Sequence, residues 1–172
     1  MGCDSIWDSG PTEETEEDIN QKKWDLRFLK LAEMVAGWSK DPSTQVGAVL
    51  VDDDRRVLSV GYNGFPRGVE DADYRLKDRE TKYAFIVHAE VNAIFAAGSL
   101  ARGATLYVWP TFTDAGVCNE CAKVVIQAGV GKIKILAATH DEKTADRWSA
   151  KGKVAEQMLK ESKVYVEKVY VD

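Results

Sequence analysis

Two short stretches decide how this chain folds and what chemistry it carries: His88-Ala89-Glu90 and Cys118-Asn119-Glu120-Cys121. One imidazole and two thiolates are preferred zinc ligands, and the carboxylate beside them is not needed as a ligand. Cysteines three residues apart share one face at the start of a helix, where unpaired amides and the helix dipole favour thiolates. The pattern therefore predicts that both stretches open helices and meet at one metal ion.

The fourth position on that metal ion decides between a structural and a catalytic role. A structural tetrahedral zinc needs another Cys or His, and the remaining ones, Cys3 and His140, do not lie at a comparable spacing. We therefore expect water in the fourth position. Zinc lowers the pKa of such a water from about 15.7 to about 7, and Glu90 is placed to move its protons. Hydrolytic deamination needs this combination of groups.

Each of these elements also has a simpler interpretation. A lone Cys-x-x-Cys also occurs as a redox pair or as two buried small side chains, and a lone histidine in an apolar helix is usually a core residue. Together, and in this order, the stretches match the signature of zinc deaminases. The combination favours one catalytic zinc per chain, held by His88, Cys118 and Cys121, with Glu90 as the catalytic proton carrier.

The composition is that of one compact, acidic domain. The chain has 172 residues, of which 45% are hydrophobic, and this is enough for a single core. A net charge of −5 argues against binding long nucleic acid through its phosphates, but it is compatible with a small nucleotide. Three cysteines are too few for a disulfide framework, which favours a reducing compartment, the cytoplasm. We expect neither a membrane-spanning segment nor a secretory signal.

Charge also divides the chain along its length. Residues 1–20 contain seven acidic residues and no Lys or Arg, which predicts a solvated, disordered tail. Residues 21–172 are then the zinc-dependent deaminase domain.

Hydrophobic periodicity predicts an alternation of helices and strands. The predicted helices are 22–39, 88–97, 119–128 and 144–160, and the predicted strands are 45–52, 56–62, 105–109, 132–138 and 163–171. Gly98 and Gly129 are expected to end the second and third helices. The side chains of the last helix that should face inward are Trp148, Ala155, Met158 and Leu159. From the alternation alone we expect a mostly parallel sheet covered on both faces.

A long polar connection, residues 63–87, joins the second strand to the His88 helix. Connections of this length in a compact domain are often lids or binding loops, and the alternative is a solvated loop. Its positive residues are candidates for holding the phosphate of a substrate or effector: Arg67, Arg75, Arg79 and Lys82.

Further motifs surround the two metal-binding stretches. They are Ser39-Lys40-Asp41-Pro42-Ser43-Thr44-Gln45-Val46-Gly47-Ala48, Gly61-Tyr62-Asn63-Gly64-Phe65-Pro66, Thr81-Lys82-Tyr83 and Ile126-Gln127-Ala128-Gly129. Through all of these motifs the chain resembles the deoxycytidylate (dCMP) deaminases of the cytidine-deaminase-like superfamily. The resemblance runs from about Trp24 to the last strand.

The resemblance implies an α/β fold, a three-layer α/β/α sandwich with a five-stranded mixed sheet, and a homo-oligomer, commonly a hexamer. It implies that hydroxide attacks C4 of cytosine while Glu90 carries protons, so that dCMP, or a 5-substituted dCMP, gives dUMP or its analogue and ammonia. The residues expected to contact the substrate are Asn63, Val87, Ala89, Phe112 and Lys82. Many members are regulated by dCTP and dTTP near the Gly-Tyr-Asn-Gly-x-Pro motif. An effector triphosphate with Mg²⁺ is therefore expected near Gly61, Asn63, Gly64, Arg67, Arg75 and Arg79.

One segment departs from the family pattern. The family has proline directly before the first cysteine, whereas this chain has Val117, preceded by an extended segment, residues 110–116. In relatives this segment borders the amino group that is lost. We therefore expect either an altered base specificity, with Phe112 as a pocket wall and Asp114 as an acceptor, or a surface excursion without effect.

Two other functions stay open from the sequence alone. The same zinc chemistry serves deaminases that act on another base or on nucleic acid, which would need a basic, aromatic-lined channel. A non-catalytic, zinc-stabilised interaction module would bind the metal and release no ammonia.

Overall fold

The computed structural model describes residues 14–137 and 142–171. Its helices and strands, in chain order, are α1 (Glu16–Ala36), β1 (Gly47–Val51), β2 (Val57–Tyr62), α2 (Asp73–Lys77), α3 (Arg79–Phe85), α4 (Ala89–Ala97), β3 (Thr105–Trp109), α5 (Asn119–Ala128), β4 (Lys132–Leu136), α6 (Glu142–Glu161) and β5 (Tyr165–Val169). A single 3₁₀ turn, Gly98–Ala101, follows α4.

The five strands form one sheet in the order β2-β1-β3-β4-β5. β1 pairs antiparallel with both β2 and β3, whereas β3 with β4 and β4 with β5 are parallel. The five-stranded mixed sheet is confirmed, and the sheet is mostly parallel as expected, since β2, β3, β4 and β5 run in one direction and β1 runs against them. β1 and β2 form a hairpin because Asp52 turns the chain back, its carboxylate accepting a hydrogen bond from the backbone N of Arg56 at 2.8 Å.

Helices cover the sheet on both faces, which confirms the three-layer sandwich. α1 lies alone on one face, where Phe28 and Ala32 pack against Val49 and Tyr107. The other three long helices cover the opposite face, with a core that includes Leu50, Ala93, Leu106, Val125, Ile133 and Leu159. Each face of the sheet is therefore buried.

The first helix begins earlier than its hydrophobic pattern predicts. The side chain of Thr15 accepts a hydrogen bond from the backbone N of Asp18, and the Asp18 carboxylate accepts one from the backbone N of Thr15, which is a capping box. Acidic residues in a first turn are stabilised by the helix dipole. Residues 16–20 are therefore helical and do not belong to the tail, which corrects the predicted boundary, while residues 1–13 lie outside the described range.

The 63–87 connection contains more structure than predicted, because it includes the short helices α2 and α3. Its two ends are joined by a bridge between Gly64 and Val87, whose backbones exchange hydrogen bonds of 3.1 and 2.8 Å. The bridge returns the chain to the edge of the sheet directly before His88. The connection is thus a closed excursion that fixes where α4 begins.

The last helix faces the core as predicted where it is described. Ala155 and Leu159 are buried and Met158 packs against the same cluster, whereas the side chain of Trp148 lies outside the described residues. Cys3 and His140 also fall outside the described ranges. Within residues 14–137 and 142–171, every helix is too short or too polar to cross a membrane.

Candidate active site

The three predicted zinc ligands meet where α4 and α5 begin. His88 is the N-cap of α4, Cys118 is the N-cap of α5, and Cys121 lies in the first turn of α5. The Nδ1 atom of His88 lies 3.2 Å from Sγ of Cys121 and 3.5 Å from Sγ of Cys118. Zinc bonds of about 2.0–2.3 Å in a tetrahedron place nitrogen and sulfur about 3.6 Å apart. The donor set and its geometry therefore fit one zinc ion.

Local sequence explains why both ligand-bearing helices begin and end where they do. The Sγ atom of Cys118 accepts a long hydrogen bond, 3.5 Å, from the backbone N of Cys121, so a ligand sulfur also serves as the helix cap. Gly98 and Gly129 end the two helices with φ angles of 57° and 76°, in the region that favours glycine. The predicted helix ends are confirmed.

The ligands influence one another's protonation strongly. Hydrogen bonding from Cys121, and then from His88, lowers the pKa of the Cys118 thiol to about 4 against the opposing effect of burial. The hydrogen bond with Cys118 raises the pKa of His88 to about 9, and the hydrogen bond with Cys118 together with burial raises the pKa of Cys121. These directions hold for the side chains without a bound cation. A zinc ion held by these three side chains would replace the shared protons, because zinc binds thiolates and neutral imidazole.

Glu90 lies in the first turn of α4 and is almost fully buried, with 6% of its surface exposed. Burial raises the pKa of this carboxyl above its ordinary value, and the nearby His88 opposes the shift. A carboxyl with a raised pKa takes up and releases protons closer to neutral pH, which suits a general acid and base.

Glu90, His88 and Cys118 share one cavity, which we call the inner pocket. Its lining includes Asp41, Asn63, Lys82, Glu90, Phe112 and Cys118. Most of the surface exposed in it is apolar, and several polar side chains converge on it, as is usual for small-molecule sites. The predicted substrate residues Asn63, Ala89, Phe112 and Lys82 line it, and Val87 does not.

Asn63 is held by backbone on both sides of its amide. Its Oδ1 atom accepts a hydrogen bond from the backbone N of Val46 at 2.8 Å, and its Nδ2 atom donates one to the carbonyl oxygen of Thr44 at 2.8 Å. One N–H and one lone pair of the amide are left over. Asn63 therefore fixes the chain before β1, and it keeps one donor and one acceptor for a ligand.

Lys82 has a different role from that of a free cation. Its side chain is buried, with 8% exposed, and its Nζ atom lies 3.0 Å from Oδ1 of Asp41 and 2.5 Å from Oγ of Ser43. Asp41 is not predictable as a site residue from its neighbours, because an Asp-Pro pair is typical of a helix end or a turn. The structure makes it the buried partner of Lys82 in the wall of the inner pocket.

The extended segment before Cys118 is packed against the body of the domain. Thr113 donates a hydrogen bond from Oγ1 to the carbonyl oxygen of Val117, and a Cβ on Gly116 would lie 2.6 Å from Cγ2 of Ile135. Phe112 lines the inner pocket. Asp114 lies outside the pocket and accepts a hydrogen bond of 2.6 Å from Lys168, so its predicted role as an acceptor for the base is not supported by its position.

A second, wider cavity, the outer pocket, adjoins the inner pocket and shares Tyr83, His88 and Cys118 with it. It includes all three metal ligands together with Arg79, Tyr83, Val87 and Lys151. The guanidinium of Arg79 lies 5.4 Å from the ring centre of Tyr83, and among the described residues it makes no ion pair. The predicted phosphate residue Arg79 therefore lies beside the reaction centre.

The other predicted phosphate and effector residues are dispersed. Arg75 donates a hydrogen bond of 3.1 Å to the backbone carbonyl oxygen of Glu70. Arg67 is exposed on the turn after Pro66. Gly64 forms the backbone bridge described above, and Gly61 lies under α4. Arg79 lines the outer pocket, whereas Arg67 and Arg75 line neither pocket, and an effector triphosphate with Mg²⁺ stays a prediction.

Comparison with known proteins agrees with this geometry. Residues 22–137 match the family model described as the cytidine and deoxycytidylate deaminase zinc-binding region. An uncharacterized deaminase in the luxG 3′ region of Aliivibrio fischeri is 42% identical over 145 residues, covering 84% of this chain and 92% of that protein. The deoxycytidylate deaminase of Homo sapiens is 37% identical over 139 residues, covering 73% and 72%.

A solved structure shows the same fold. The dCMP deaminase of cyanophage S-TIM5, in complex with dCMP and dUMP, superposes with a TM-score of 0.60 at 23% identity, covering 90% of this chain and 99% of that one. The fold and the ligand cluster thus define a zinc-type deaminase, a hydrolase that acts on C–N bonds. The chain belongs to the cytidine and deoxycytidylate deaminase family.

Proposed function

We propose that this protein converts dCMP, or a 5-substituted dCMP, and water into dUMP, or its analogue, and ammonia, using one zinc ion per chain. The observation that carries the proposal is the buried carboxyl of Glu90 in the same pocket as His88 and Cys118. The human relative named deoxycytidylate deaminase supports the choice of substrate. His88, Cys118 and Cys121 would hold the zinc.

The chain's own residues account for the proton movements. When bound, zinc supplies the Lewis acidity that makes water a nucleophile near neutral pH. Glu90 accepts a proton from the attacking water and passes it to N3 of cytosine. It accepts the second proton of that water and delivers it to the exocyclic amine, which leaves as ammonia. The raised pKa of Glu90 favours both directions of transfer.

The phosphate of the nucleotide is proposed to lie in the outer pocket, near Arg79. Asp41 already compensates the charge of Lys82, and Glu70 engages Arg75, so Arg79 is the cation best suited to an anionic group. A guanidinium recognises phosphate oxygens in a forked geometry. Replacing Arg79 by Gln should raise KM for dCMP and leave deoxycytidine almost unaffected, whereas equal losses would remove Arg79 from phosphate binding.

We further propose a homo-oligomer, a hexamer by the family resemblance. Phe95 on α4 and Leu100 in the 3₁₀ turn that follows support it, because 77% and 60% of their surfaces are exposed. Large apolar surfaces left exposed on a single chain are typical of interfaces. Light scattering on the purified protein measures the oligomer directly, and a monomer would contradict the proposal.

Ammonia release from a substrate panel tests the function. The zinc-loaded protein should deaminate dCMP faster than cytidine, adenosine or a cytosine-containing single strand of DNA. Preference for the DNA strand would favour a nucleic-acid deaminase. Zinc binding without any ammonia release would favour an interaction module and would contradict the proposal.

A further inference from the structure

The wall of the inner pocket contains a buried ion pair that the deamination chemistry does not use. Asp41 and Lys82 contact each other at 3.0 Å, and their side chains are 3% and 8% exposed. Both line the cavity that holds Glu90. Taking two charges out of water costs several kcal/mol, so a buried pair beside a ligand pocket calls for an explanation.

The hydrogen bonds of Asp41 leave one of its oxygens unused. Its Oδ1 atom accepts four hydrogen bonds, from the backbone N atoms of Ser43 and Thr44, from Oγ of Ser43 and from Nζ of Lys82, at 2.9–3.1 Å. Its Oδ2 atom accepts none from the described residues and is not sealed inside the protein. Asp41 lines the inner pocket, so a ligand bound there can contact this oxygen.

Lys82 leaves a matching donor. Its ammonium has three N–H bonds, of which one goes to Asp41 and one to Oγ of Ser43. The pair therefore offers one acceptor and one donor side by side. A hydroxyl group, which donates one hydrogen bond and accepts another, satisfies both.

A phosphate group does not fit this pair. Its oxygens only accept hydrogen bonds at neutral pH, and they would meet the carboxylate of Asp41 at the same place as the ammonium of Lys82. The net charge of the pair is zero, so it gives no electrostatic attraction for a dianion. We therefore expect Lys82 to contact a neutral polar group of the ligand and not its phosphate.

We propose that Asp41 and Lys82 together bind the 3′-hydroxyl of the substrate's sugar and so determine specificity at the sugar. The inference rests on the proposed deamination of dCMP, whose deoxyribose carries that single ring hydroxyl. Asn63, with its remaining donor and acceptor, lines the same pocket and completes a polar edge around the sugar. The apolar residues of the pocket are then left for the base.

The unmodified enzyme gives the first test, because the hydroxyl can be removed from the substrate. We expect kcat/KM for 2′,3′-dideoxycytidine monophosphate to be about 10- to 100-fold lower than for dCMP, the range that a hydrogen bond to a charged group supplies. Isothermal calorimetry of both nucleotides should show a corresponding loss of affinity. Equal values for the two nucleotides would overturn the inference.

Variants of the pair give the second test. In Lys82→Met and Asp41→Asn, the ratio of kcat/KM between dCMP and the dideoxy analogue should fall towards one. The matched control is Lys40→Met, since Lys40 forms an exposed ion pair with Asp71 at 2.8 Å and should leave the ratio unchanged. An unchanged ratio in a folded, zinc-loaded Asp41→Asn protein would also overturn the inference.

The outcomes separate this inference from the proposed function. If no cytosine nucleotide is deaminated, the proposed function fails, and the calorimetric comparison still reports on the hydroxyl. If dCMP is deaminated and the dideoxy analogue performs equally well, only the sugar contact is wrong.

Discussion

Gly61 lies so close to Ala89 that a side chain has no room between them. A Cβ atom on Gly61 would lie 2.3 Å from the carbonyl oxygen of Ala89, and also 2.3 Å from the backbone N of Ala93. Ala89 separates His88 from Glu90, so the strand β2 sets the position of the helix turn that carries the reacting groups. A glycine in the Gly-Tyr-Asn-Gly motif thus has a packing role as well as its proposed place near an effector.

Replacing Gly61 by Ala should therefore damage both stability and catalysis. The added methyl meets backbone atoms, which cannot rotate away, so we expect a loss of about 1–3 kcal/mol in the free energy of unfolding and a lower kcat. Gly64→Ala is the matched control, because a Cβ there meets nothing within 4 Å. Urea unfolding and ammonia release measure the two effects. Equal behaviour of both variants would show that α4 adjusts its position freely.

Glu90→Gln should separate zinc binding from chemistry. The amide keeps the size of the side chain and cannot transfer a proton, so kcat should fall by about 10²–10⁴-fold while the zinc content stays the same. Glu120→Gln is the control, because Glu120 is exposed in the first turn of α5 and pairs with Lys123 on the surface. A Glu90→Gln enzyme with a near-normal rate would exclude Glu90 as the proton carrier.

Cys118→Ala should abolish stoichiometric zinc binding. The variant loses a ligand and also the sulfur that caps α5, so we expect less than one zinc per chain and a lower melting temperature. Cys3→Ala should retain one zinc per chain. Atomic emission on dialysed protein measures the content. Two zinc ions per unmodified chain would contradict the assignment of a single site.

The metal site was predictable because its residues follow a local spacing. Other residues of the inner pocket were not predictable, because long-range packing brings them together. His88, Cys118 and Cys121 follow a pattern in which residue type and helix position determine the role. Asp41 and Lys82 are separated by 41 positions, and each alone is typical of a turn or of a surface cation. For a similar reason, strand and helix order did not show that β1 lies between β2 and β3 in the sheet. The resemblance, rather than periodicity, gave the mixed sheet.

At acid pH, protonation of Asp41 should lower the free energy of unfolding of the domain. Burial opposes its charge, but hydrogen bonds from Ser43, Lys82 and Thr44 outweigh burial and lower the pKa of this carboxyl below the ordinary 3.8. The charged form therefore stabilises the fold above about pH 3.8, and this contribution is lost as the pH falls through the lower pKa of the folded state. At pH 7, Asp41→Asn should cost about 3–5 kcal/mol, because it leaves Lys82 without its partner.

Urea titrations of the unmodified protein and of Asp41→Asn between pH 7 and pH 2 check this dependence. The difference between their unfolding free energies should be constant near neutrality and shrink below about pH 4. Asp71→Asn removes an exposed partner of Lys40 and should show only a small difference at any pH. If the difference in unfolding free energy persists at pH 2, Asp41 stabilises the fold through packing and not through its charge.

Phe112 should govern how the enzyme discriminates at the base. It lines the inner pocket from a segment that Thr113 and Gly116 hold against the domain, so its ring is a preformed wall. Phe112→Ala should raise kcat/KM for 5-methyl-dCMP relative to dCMP by about 10- to 100-fold, since one methyl-sized group is worth about 1–3 kcal/mol in an apolar pocket. The zinc ligands lie outside the segment, so the zinc content should not change. Asp114→Asn alters the same segment outside the pocket and should leave the ratio unchanged. If Phe112→Ala also leaves it unchanged, the extended segment has no role in base recognition.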